Sequence, residues 1–213
     1  MIGIVDYGMG NLFSVSKALE RLNVPYFISD NKEKLLEADG LLLPGVGAFR
    51  DAMELLKETS LDETIKSFVQ KGKPLLGICL GMQLLFESSE ENGKIEGLGL
   101  LSGDAVRIPS RDNEGREYKV PHMGWNFVSF QTPSSITANV KEDYVYFVHS
   151  YYIKDVPNEN LIGSAEYAGV AIPAIVGSGN ILGMQFHPEK SGELGMKLFK
   201  RFTDLVQQSE VIR

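Results

Sequence analysis

The first half of the chain alternates short apolar runs with amphipathic segments, and this alternation restricts the possible folds more than any other feature of the sequence. Short apolar runs are expected where parallel strands are buried on both faces. Such runs predict strands at Ile2–Val5, Tyr26–Ile28, Leu41–Leu43 and Lys73–Ile78. The amphipathic segments between them predict helices that cover the sheet. The sequence therefore predicts an α/β fold with a doubly wound, mostly parallel open sheet flanked by helices.

Residues that favour helix starts stand before several of the amphipathic segments. Asn11 is a predicted N-cap for the first helix. Ser60 and Glu63 have the spacing of a capping box for a later helix. Ser191 is predicted to cap the last helix, whose inward-facing residues are Leu194, Leu198, Phe202 and Leu205.

The second half of the chain has a different pattern. From about Leu100 to Phe186 the sequence favours short strands and turns, including strands at Val145–Val148 and Ile181–Phe186. This pattern predicts an antiparallel, strand-rich portion in addition to the parallel sheet. No repeat or linker interrupts the chain, so residues 1–213 are predicted to form a single domain.

Charge and composition limit the expected partners. The chain has 213 residues and a formal net charge of −7, which disfavours general binding to nucleic acid or to anionic membranes. No run of about 18 apolar residues is present, and the N-terminal segment lacks the pattern of a signal peptide. Cys79 is the only cysteine, so an intrachain disulfide is impossible and a reducing compartment is expected. We therefore expect a cytoplasmic protein that binds neither nucleic acid nor membrane.

The single cysteine lies in the sequence Gly77-Ile78-Cys79-Leu80-Gly81, between a predicted strand and a predicted helix. This is the glycine-x-nucleophile-x-glycine pattern of a nucleophile elbow. Flanking glycines are needed because the sharp turn crowds the backbone and strains the nucleophile. The N-terminus of the following helix is expected to favour the thiolate, which is the reactive form of cysteine. A buried structural cysteine beside two packing glycines would have the same local sequence.

A cysteine nucleophile needs a base, and the base needs a neighbour that fixes its tautomer. His187 and Glu189 are two residues apart, so both side chains would point the same way in a straight strand. Pro188 between them favours the end of a strand. A surface turn with an incidental histidine is the alternative. His122 and His149 have no carboxylate two positions away, and they are expected to be structural or at the surface.

The loop Pro44-Gly45-Val46-Gly47 directly follows the predicted strand Leu41–Leu43. Ligands of open parallel sheets bind beyond the carboxyl ends of the strands, so this loop and the cysteine are expected at the same edge. Glycines would let the loop turn its N–H groups towards an oxyanion formed during acyl transfer. A plain strand–helix turn is the alternative.

No cofactor and no metal is predicted. In the turn Gly8-Met9-Gly10, Phe13 stands where a dinucleotide fingerprint would require a third glycine. One cysteine and three scattered histidines do not have the close spacing of zinc ligands.

Three segments together resemble the class I, or triad, glutamine amidotransferases, and the resemblance covers essentially the whole chain. These segments are PGVGAF in the glycine loop, GICLGMQLLFE at the elbow and GMQFHPEKS at the histidine. The resemblance implies that Cys79 is the nucleophile, that His187 is the general base and acid, and that Glu189 orients His187. It also implies a set of residues around glutamine and its oxyanion: Gly45, Val46, Gly47, Leu80, Gln83, Ser150 and Tyr151.

Further segments, DYGMGN, PHMGWN and FVHSYY, are similar to one branch of this family. Members of that branch pass ammonia to a (βα)8-barrel cyclase subunit, which forms imidazole glycerol phosphate and AICAR in histidine biosynthesis. The resemblance implies a heterodimer with Asn11, Met123, Trp125 and Lys190 at the interface. The aromatic and methionine content of PHMGWN is typical of interfaces, although a buried turn packed on the tryptophan is the alternative. No segment resembles a synthetase or cyclase domain, so the acceptor chemistry is expected on another chain.

Other functions are compatible with parts of this pattern. A glutaminase subunit of anthranilate or aminodeoxychorismate synthase would keep the three catalytic residues but should lack DYGMGN and PHMGWN together. A free-standing cysteine hydrolase or peptidase could use a related α/β fold. An inactive interaction subunit is a third alternative, and the intact set of catalytic residue types argues against it.

Overall fold

The computed structural model describes residues 1–211. Its strands, in chain order, are β1 (Ile2–Val5), β2 (Tyr26–Ser29), β3 (Gly40–Gly45), β4 (Leu75–Cys79), β5 (Ser88–Ser89), β6 (Ile95–Glu96), β7 (Asp104–Arg107), β8 (His122–Phe127), β9 (Ser129–Phe130), β10 (Tyr144–His149), β11 (Tyr151–Lys154), β12 (Leu161–Tyr167), β13 (Val170–Ser178) and β14 (Ile181–Met184). Its α-helices are α1 (Leu12–Arg21), α2 (Lys32–Glu37), α3 (Phe49–Glu58), α4 (Leu61–Gln70), α5 (Leu80–Leu84) and α6 (Gly192–Val211). Short 3₁₀ helices occupy Asn158–Asn160 and Pro188–Lys190.

The largest sheet has eight strands in the order β2-β1-β3-β4-β14-β13-β12-β9. The strands from β2 to β14 are parallel to their neighbours. The strands β13, β12 and β9 extend the sheet with antiparallel pairs. The prediction of a mostly parallel α/β sheet with added antiparallel strands is confirmed.

Both faces of the parallel strands are buried, which explains their continuous apolar sequences. Leu41 and Leu43 of β3 belong to a core cluster that also contains residues of α3, α4 and α5. Leu42, on the opposite face, belongs to a second cluster with residues of α1 and α6. Successive residues of a strand point to opposite faces, so a strand covered on both sides needs an apolar residue at every position.

The remaining strands form smaller structures beside the large sheet. One has the order β11-β7-β5-β6, and the other is an antiparallel ribbon of β8 and β10. In this β8–β10 ribbon, Trp125 is opposite Tyr146 and His122 is opposite His149. The strand-rich second half is therefore confirmed.

The predicted starts of α1 and α4 are both correct, but the capping box predicted for α4 does not form. The Oδ1 atom of Asn11 accepts a hydrogen bond from the backbone N–H of Ser14 at 3.1 Å. Ser60 instead has a left-handed backbone (φ 55°, ψ 27°), and its side chain makes no capping hydrogen bond. Only Thr59 and Ser60 separate α3 from α4, and the N–H of Ser60 donates to the carbonyl of Lys57. Closing α3 in so short a link excludes the extended backbone that an N-cap residue needs.

Ser191 precedes α6 as predicted, but its hydroxyl connects other segments. It donates to the carbonyl of His187 at 2.6 Å and accepts from the backbone N–H of Tyr146 at 2.9 Å. Of the predicted inward-facing residues of α6, Leu194, Leu198 and Phe202 are buried and Leu205 is half-buried. Ser191 thus ties the segment after β14 to the β8–β10 ribbon.

Candidate active site

The turn at Cys79 has the geometry of a nucleophile elbow. Cys79 ends β4 with φ 56° and ψ −114°, a backbone conformation that residues with side chains rarely adopt. A Cβ atom on Gly77 would lie 2.6 Å from the carbonyl oxygen of Gly81, and one on Gly81 would lie 1.8 Å from the carbonyl oxygen of Leu43. Both glycines are therefore required by close backbone contacts, as the sequence pattern predicted.

The helix after the elbow is short. The helix α5 spans only Leu80–Leu84, and its last turn continues into the 3₁₀-type bonds from Leu85 N–H to Met82 and from Phe86 N–H to Gln83. The effect of a helix dipole requires several aligned peptides, so α5 gives less support to a thiolate than a full helix would.

His187 and Glu189 form a buried pair. The Nδ1 atom of His187 lies 2.9 Å from Oε1 of Glu189, and their side chains are 5% and 2% exposed. The strand β14 has already ended at Met184, and Glu189 lies in a 3₁₀ helix that begins at Pro188. The pair is thus brought together by a tight turn and not by a straight strand. Within residues 1–211, the Oε2 atom of Glu189 has no hydrogen-bond partner.

The environment of His187 favours its protonated form. Burial disfavours a charge on the ring, but hydrogen bonds and charge interactions with Cys79 and Glu189 outweigh burial and raise the pKa of His187 from 6.5 to about 9. An imidazolium between a sulfur and a carboxylate is suited to hold a thiolate at neutral pH. It can also release a proton to a leaving group.

A cavity of about 370 Å³ opens in front of the cysteine. Cys79 and His187 line it, whereas Glu189 does not. Most of the residues that the resemblance placed around glutamine also line it: Val46, Gly47, Leu80, Gln83, Ser150 and Tyr151. Gly45 is the exception, because it pairs with Cys79 inside the sheet and a Cβ atom there would lie 2.7 Å from the backbone nitrogen of Gly81. Gly45 therefore permits close packing of the elbow and does not line the cavity.

The end of β3 is anchored, whereas the loop that follows it is open. The hydroxyl of Tyr7 donates to the carbonyl of Pro44 at 3.0 Å. Burial, with a smaller contribution from the charge of Cys79, raises the pKa of Tyr7, so the hydroxyl stays a neutral donor. Val46 is 42% exposed and Gly47 has φ +97°. Peptides beyond Pro44 therefore have more freedom to rotate than the anchored carbonyl.

The cavity also contains residues that sequence reasoning did not select. These are Glu91, Pro121, Val148 and His149. Glu91 also accepts a hydrogen bond from the backbone N–H of Phe49 at 2.8 Å, so it holds the start of α3. No motif surrounds Glu91, and only the folding of the loop between β5 and β6 brings it to the site.

His122 and His149 are buried together, so the expectation of a structural role is correct and that of a surface position is wrong. The Nδ1 atom of His122 lies 3.0 Å from Nε2 of His149, whose Nδ1 lies 2.8 Å from the carbonyl oxygen of Tyr151. The ring of His122 stacks on Phe147 and Tyr167 at centroid distances of 4.6 and 4.0 Å. Burial lowers the pKa of His122 to about 4 and is the main cause that lowers that of His149 to about 3. Both rings are therefore neutral at physiological pH and poor candidates for the base.

Of the four predicted interface residues, Lys190 lies in the turn that carries Glu189, Trp125 lies beside the start of α6, and Asn11 and Met123 lie at the start of α1 and on β8. Met123 and Trp125 are 62% and 56% exposed on the β8–β10 ribbon. A Cβ atom on Gly192 would lie 3.7 Å from the Trp125 ring, so this ring packs beside the start of α6. Lys190 is exposed in the same turn, and α1, which Asn11 caps, contacts that turn. The apolar surface extends further along the ribbon, to Phe127 and Tyr144.

Among residues 1–208, whose side chains the structure describes, no three His, Cys, Asp or Glu side chains are grouped closely enough to hold a metal ion. In the same part of the chain, no helix combines the length and apolarity needed to cross a bilayer.

Comparisons with known proteins identify the family. The model of glutamine amidotransferase class-I matches residues 3–205. The imidazole glycerol phosphate synthase subunit HisH of Bacillus velezensis is 56% identical over 211 residues, which is 99% of this chain and 99% of that protein. The HisH subunit of Geobacillus thermodenitrificans is 58% identical over 210 residues, or 99% of this chain and 98% of that protein. The HisH subunit of Bacillus subtilis is 56% identical over 99% of both chains.

Solved structures agree on the fold. A crystal structure of a glutamine amidotransferase has a TM-score of 0.74 at 20% identity and covers 97% of this chain and 98% of its own. The structure of PurLQS from Thermotoga maritima has a TM-score of 0.72 at 21% identity, with 96% and 98% covered. The likeness to these solved structures supports the fold. The family match and the HisH relatives support the assignment of the family and of the subunit. The chain belongs to the class-I glutamine amidotransferase family and, within it, to the HisH subunits of imidazole glycerol phosphate synthase.

Proposed function

We propose that this chain hydrolyses glutamine to glutamate and ammonia with Cys79, His187 and Glu189 as a catalytic triad. The observation that carries the proposal is the placement of these groups. Cys79 and His187 line one cavity, and Glu189 holds the far side of the His187 ring at 2.9 Å. A nucleophile, its base and the base's orienting group are the minimum set for acyl transfer through a covalent intermediate.

The reaction divides into acylation and deacylation. In acylation, the thiolate of Cys79 attacks the side-chain amide carbon of glutamine, and the C=O electrons move onto oxygen. As the oxyanion collapses, the C–N bond breaks and His187 donates its proton to the leaving nitrogen, which departs as ammonia. In deacylation, His187 takes a proton from water, and the resulting hydroxide attacks the thioester carbon. The second collapse releases glutamate and restores the thiolate and imidazolium.

Backbone N–H groups are proposed to stabilise the oxyanion. One is that of Leu80, because the residue after the nucleophile supplies a donor in an elbow of this kind. A second is expected from the loop Gly45–Gly47, in which Val46 and Gly47 line the cavity. A single donor of this type contributes about 10²–10³-fold in rate, so the orientation of one loop peptide has a large effect.

Glutamine recognition requires groups for its α-ammonium, α-carboxylate and side-chain amide. We assign Gln83, Ser150 and Tyr151 to substrate binding because they line the cavity beside the cysteine. The Nε2 atom of Gln83 is already within hydrogen-bond distance of the Tyr151 carbonyl and of Gln185 Oε1, so its carbonyl oxygen is the group left for substrate. Glu91 adds a carboxylate that suits the α-ammonium.

The ammonia is proposed to pass to a (βα)8-barrel cyclase subunit in a heterodimer, where it enters imidazole glycerol phosphate and AICAR formation in histidine biosynthesis. Support comes from the HisH relatives and from the exposed apolar face of the β8–β10 ribbon. Met123, Trp125, Asn11 and Lys190 are the proposed contacts. The reactive single thiol is compatible with a reducing, cytoplasmic location.

The decisive experiment compares two nitrogen sources. The complex with the cyclase subunit should lose glutamine-dependent product formation on Cys79→Ala or Cys79→Ser, and should retain formation from added ammonium. The control is Thr203→Val. It removes a buried hydroxyl of α6 that donates to the backbone carbonyl of Lys200, far from the elbow in the sequence. Glutamine turnover by the alanine variant would reject Cys79 as nucleophile. Failure of any cyclase partner to accept ammonia would reject the assigned pathway and leave the glutaminase reaction in place.

A further inference from the structure

We propose that Gln185 is a further residue of the catalytic site, whose side-chain N–H stabilises the thiolate of Cys79, and that Gln83 is the positioning residue that fixes the Gln185 amide. This inference rests on the proposed role of Cys79 as the nucleophile. It assigns a function to a polar side chain that is 0% exposed and lies directly after β14.

In the described part of the chain, the sulfur of Cys79 has two hydrogen-bonding neighbours besides His187, and they act in opposite directions. The carbonyl oxygen of Val148 lies 3.9 Å from Sγ, and the Nε2 atom of Gln185 lies 4.0 Å from it. A carbonyl can only accept, so Val148 favours the neutral thiol. An amide nitrogen can only donate, so Gln185 favours the thiolate.

The direction of the Gln185 amide follows from its neighbours. The carbonyl of Tyr151 can only accept, so the nitrogen and not the oxygen of Gln83 must face it, at 2.9 Å. The second N–H of that nitrogen is directed at Oε1 of Gln185, at 3.0 Å. With its oxygen held by Gln83, Gln185 must turn its own nitrogen towards the sulfur of Cys79. The chain of contacts from Tyr151 to the sulfur therefore has a single self-consistent orientation.

Because Gln185 is buried, its side-chain N–H is better satisfied by a thiolate than by a neutral thiol. Within residues 1–211, Cys79 Sγ is the only hydrogen-bond acceptor recorded for the side-chain nitrogen of Gln185. A buried N–H that faces only a neutral thiol is poorly satisfied, because a thiol is a weak acceptor. A thiolate accepts more strongly, so the relay of neutral amides lowers the free energy of the charged site without adding a titratable group.

The single cysteine allows a direct test, because iodoacetamide will report on one thiol. The rate of alkylation is measured against pH for the wild type and for Gln185→Met, which keeps the side-chain length and removes the donor. We expect the midpoint of the pH–rate profile to rise by about half to one pH unit in Gln185→Met. At a pH well below the wild-type midpoint, the rate of alkylation should fall about 3–10-fold.

A matched control separates this effect from the loss of any buried amide. Asn180→Leu removes an amide that donates to the carbonyl of Val69 at 3.1 Å, at the opposite end of the parallel strands. This variant is expected to leave the midpoint unchanged even where it lowers the melting temperature. An unmoved midpoint in Gln185→Met, or an equal displacement in Asn180→Leu, overturns the assignment.

The positioning role of Gln83 has its own readout. Gln83→Met should raise the midpoint by less than Gln185→Met, because Gln185 remains but its orientation is no longer fixed. The double variant should not exceed Gln185→Met alone, since the two side chains act through one contact. Strictly additive shifts of the midpoint in the double variant would reject the proposed action of Gln83 through Gln185.

A measurement on the unmodified sequence covers the case in which Gln185→Met does not fold. The side-chain amide resonance of Gln185 should titrate with the same midpoint as alkylation in the wild type, and should stop titrating in Cys79→Ser. A resonance that does not move with pH overturns the inference. Retained glutaminase activity in Cys79→Ala would instead reject the proposed function, so the two failures are distinguishable.

Discussion

The Nδ1 atom of His187 lies 2.9 Å from the Oε1 atom of Glu189, and both side chains are almost completely buried. A carboxylate in this position fixes the tautomer of the ring and leaves the other ring nitrogen to face the cavity. The hydroxyl of Ser191 also donates to the carbonyl of His187, so the backbone of His187 is fixed as well as its ring.

Glu189→Gln should lower glutamine turnover by about 10²–10⁴-fold while the fold is retained. The amide has nearly the same shape, but it has no charge to stabilise the imidazolium and can present an N–H to the ring. We expect the loss to appear in kcat more than in KM, measured in the complex with saturating glutamine. Glu193→Gln, on the exposed first turn of α6, is the control and should remain active. An active Glu189→Gln variant would remove Glu189 from the triad.

Gly81→Ala should destabilise the fold by at least about 3 kcal/mol, because its Cβ atom would lie 1.8 Å from the backbone oxygen of Leu43 and neither backbone can yield easily. Chemical denaturation measures the loss. Gly163→Ala is a graded control, since its nearest contact is 3.1 Å from a methyl group of Val128, and it should cost clearly less. Equal costs at the two positions would show that the elbow tolerates a wider turn than its geometry indicates.

Acid should destabilise the protein through the buried histidine pair. The pKa of His149 is lowered from 6.5 to about 3, so its contribution to stability is fully present above pH 6.5 and is lost as the pH falls towards 3. At pH 5 the loss from His149 is on the order of 2 kcal/mol, or a decrease of roughly 4–8 °C in Tm. His122, with its pKa lowered to about 4, acts in the same direction.

The contribution of His149 is isolated by comparing the Tm at pH 7.5 and pH 5 for the wild type and His149→Gln. The variant should be less stable at pH 7.5 and lose less stability on acidification. His187 has the opposite sign, since its pKa is raised to about 9 and its contribution is fully present below pH 6.5 and lost as the pH rises through 9. His187 is present in both proteins, so its effect cancels in the comparison. An equal decrease in Tm on acidification of the wild type and of His149→Gln would contradict the assignment of a neutral His122–His149 pair.

Features that depend on residues close together in the chain were predicted correctly from the sequence. The apolar runs located the parallel strands, and the glycines around Cys79 predicted the elbow, because both features depend on residues close in the chain. The helix start after Ser60 was predicted correctly, but its capping box was not, because the sequence pattern does not show that only two residues join α3 to α4. The short link decided the backbone conformation.

Features formed between distant segments were not predictable from one sequence. Glu91, His149 and Gln185 reach the site from separate parts of the chain. His149 and Gln185 lie inside the segments FVHSYY and GMQFHPEKS, but these segments do not indicate which distant residues their side chains contact. Gln185 and Cys79 are 106 positions apart, and their contact exists because β14 and β4 are adjacent in the sheet. Strand order within a sheet is set by the packing of the whole domain, and hydrophobic periodicity does not specify it.

The partner is expected to control the activity of this chain. The isolated chain should be a poor glutaminase, and its activity should rise with the cyclase subunit and rise further with the cyclase's nucleotide ligand. The exposed ring of Trp125 packs between Tyr146, at a centroid distance of 6.1 Å, and Gly192 at the start of α6. The carbonyl of Tyr146 accepts from the backbone N–H of His187 at 3.3 Å, and the N–H of Tyr146 donates to the hydroxyl of Ser191 at 2.9 Å. A partner docked on this ring would therefore press on the segment that holds the triad.

Glutamine turnover is measured for the chain alone, with the partner, and with partner and ligand. Trp125→Ala should reduce the activated rates towards the basal rate and leave the basal rate nearly unchanged, because the ring contacts the catalytic segment without lining the cavity. Phe13→Ala is the control: Phe13 is 71% exposed on α1, and its loss removes apolar surface of similar size without a contact to Tyr146. Equal rates in all three states would refute partner control while leaving the triad intact. Equal effects of Trp125→Ala and Phe13→Ala would show that docking area, and not the contact with the triad segment, sets the activation.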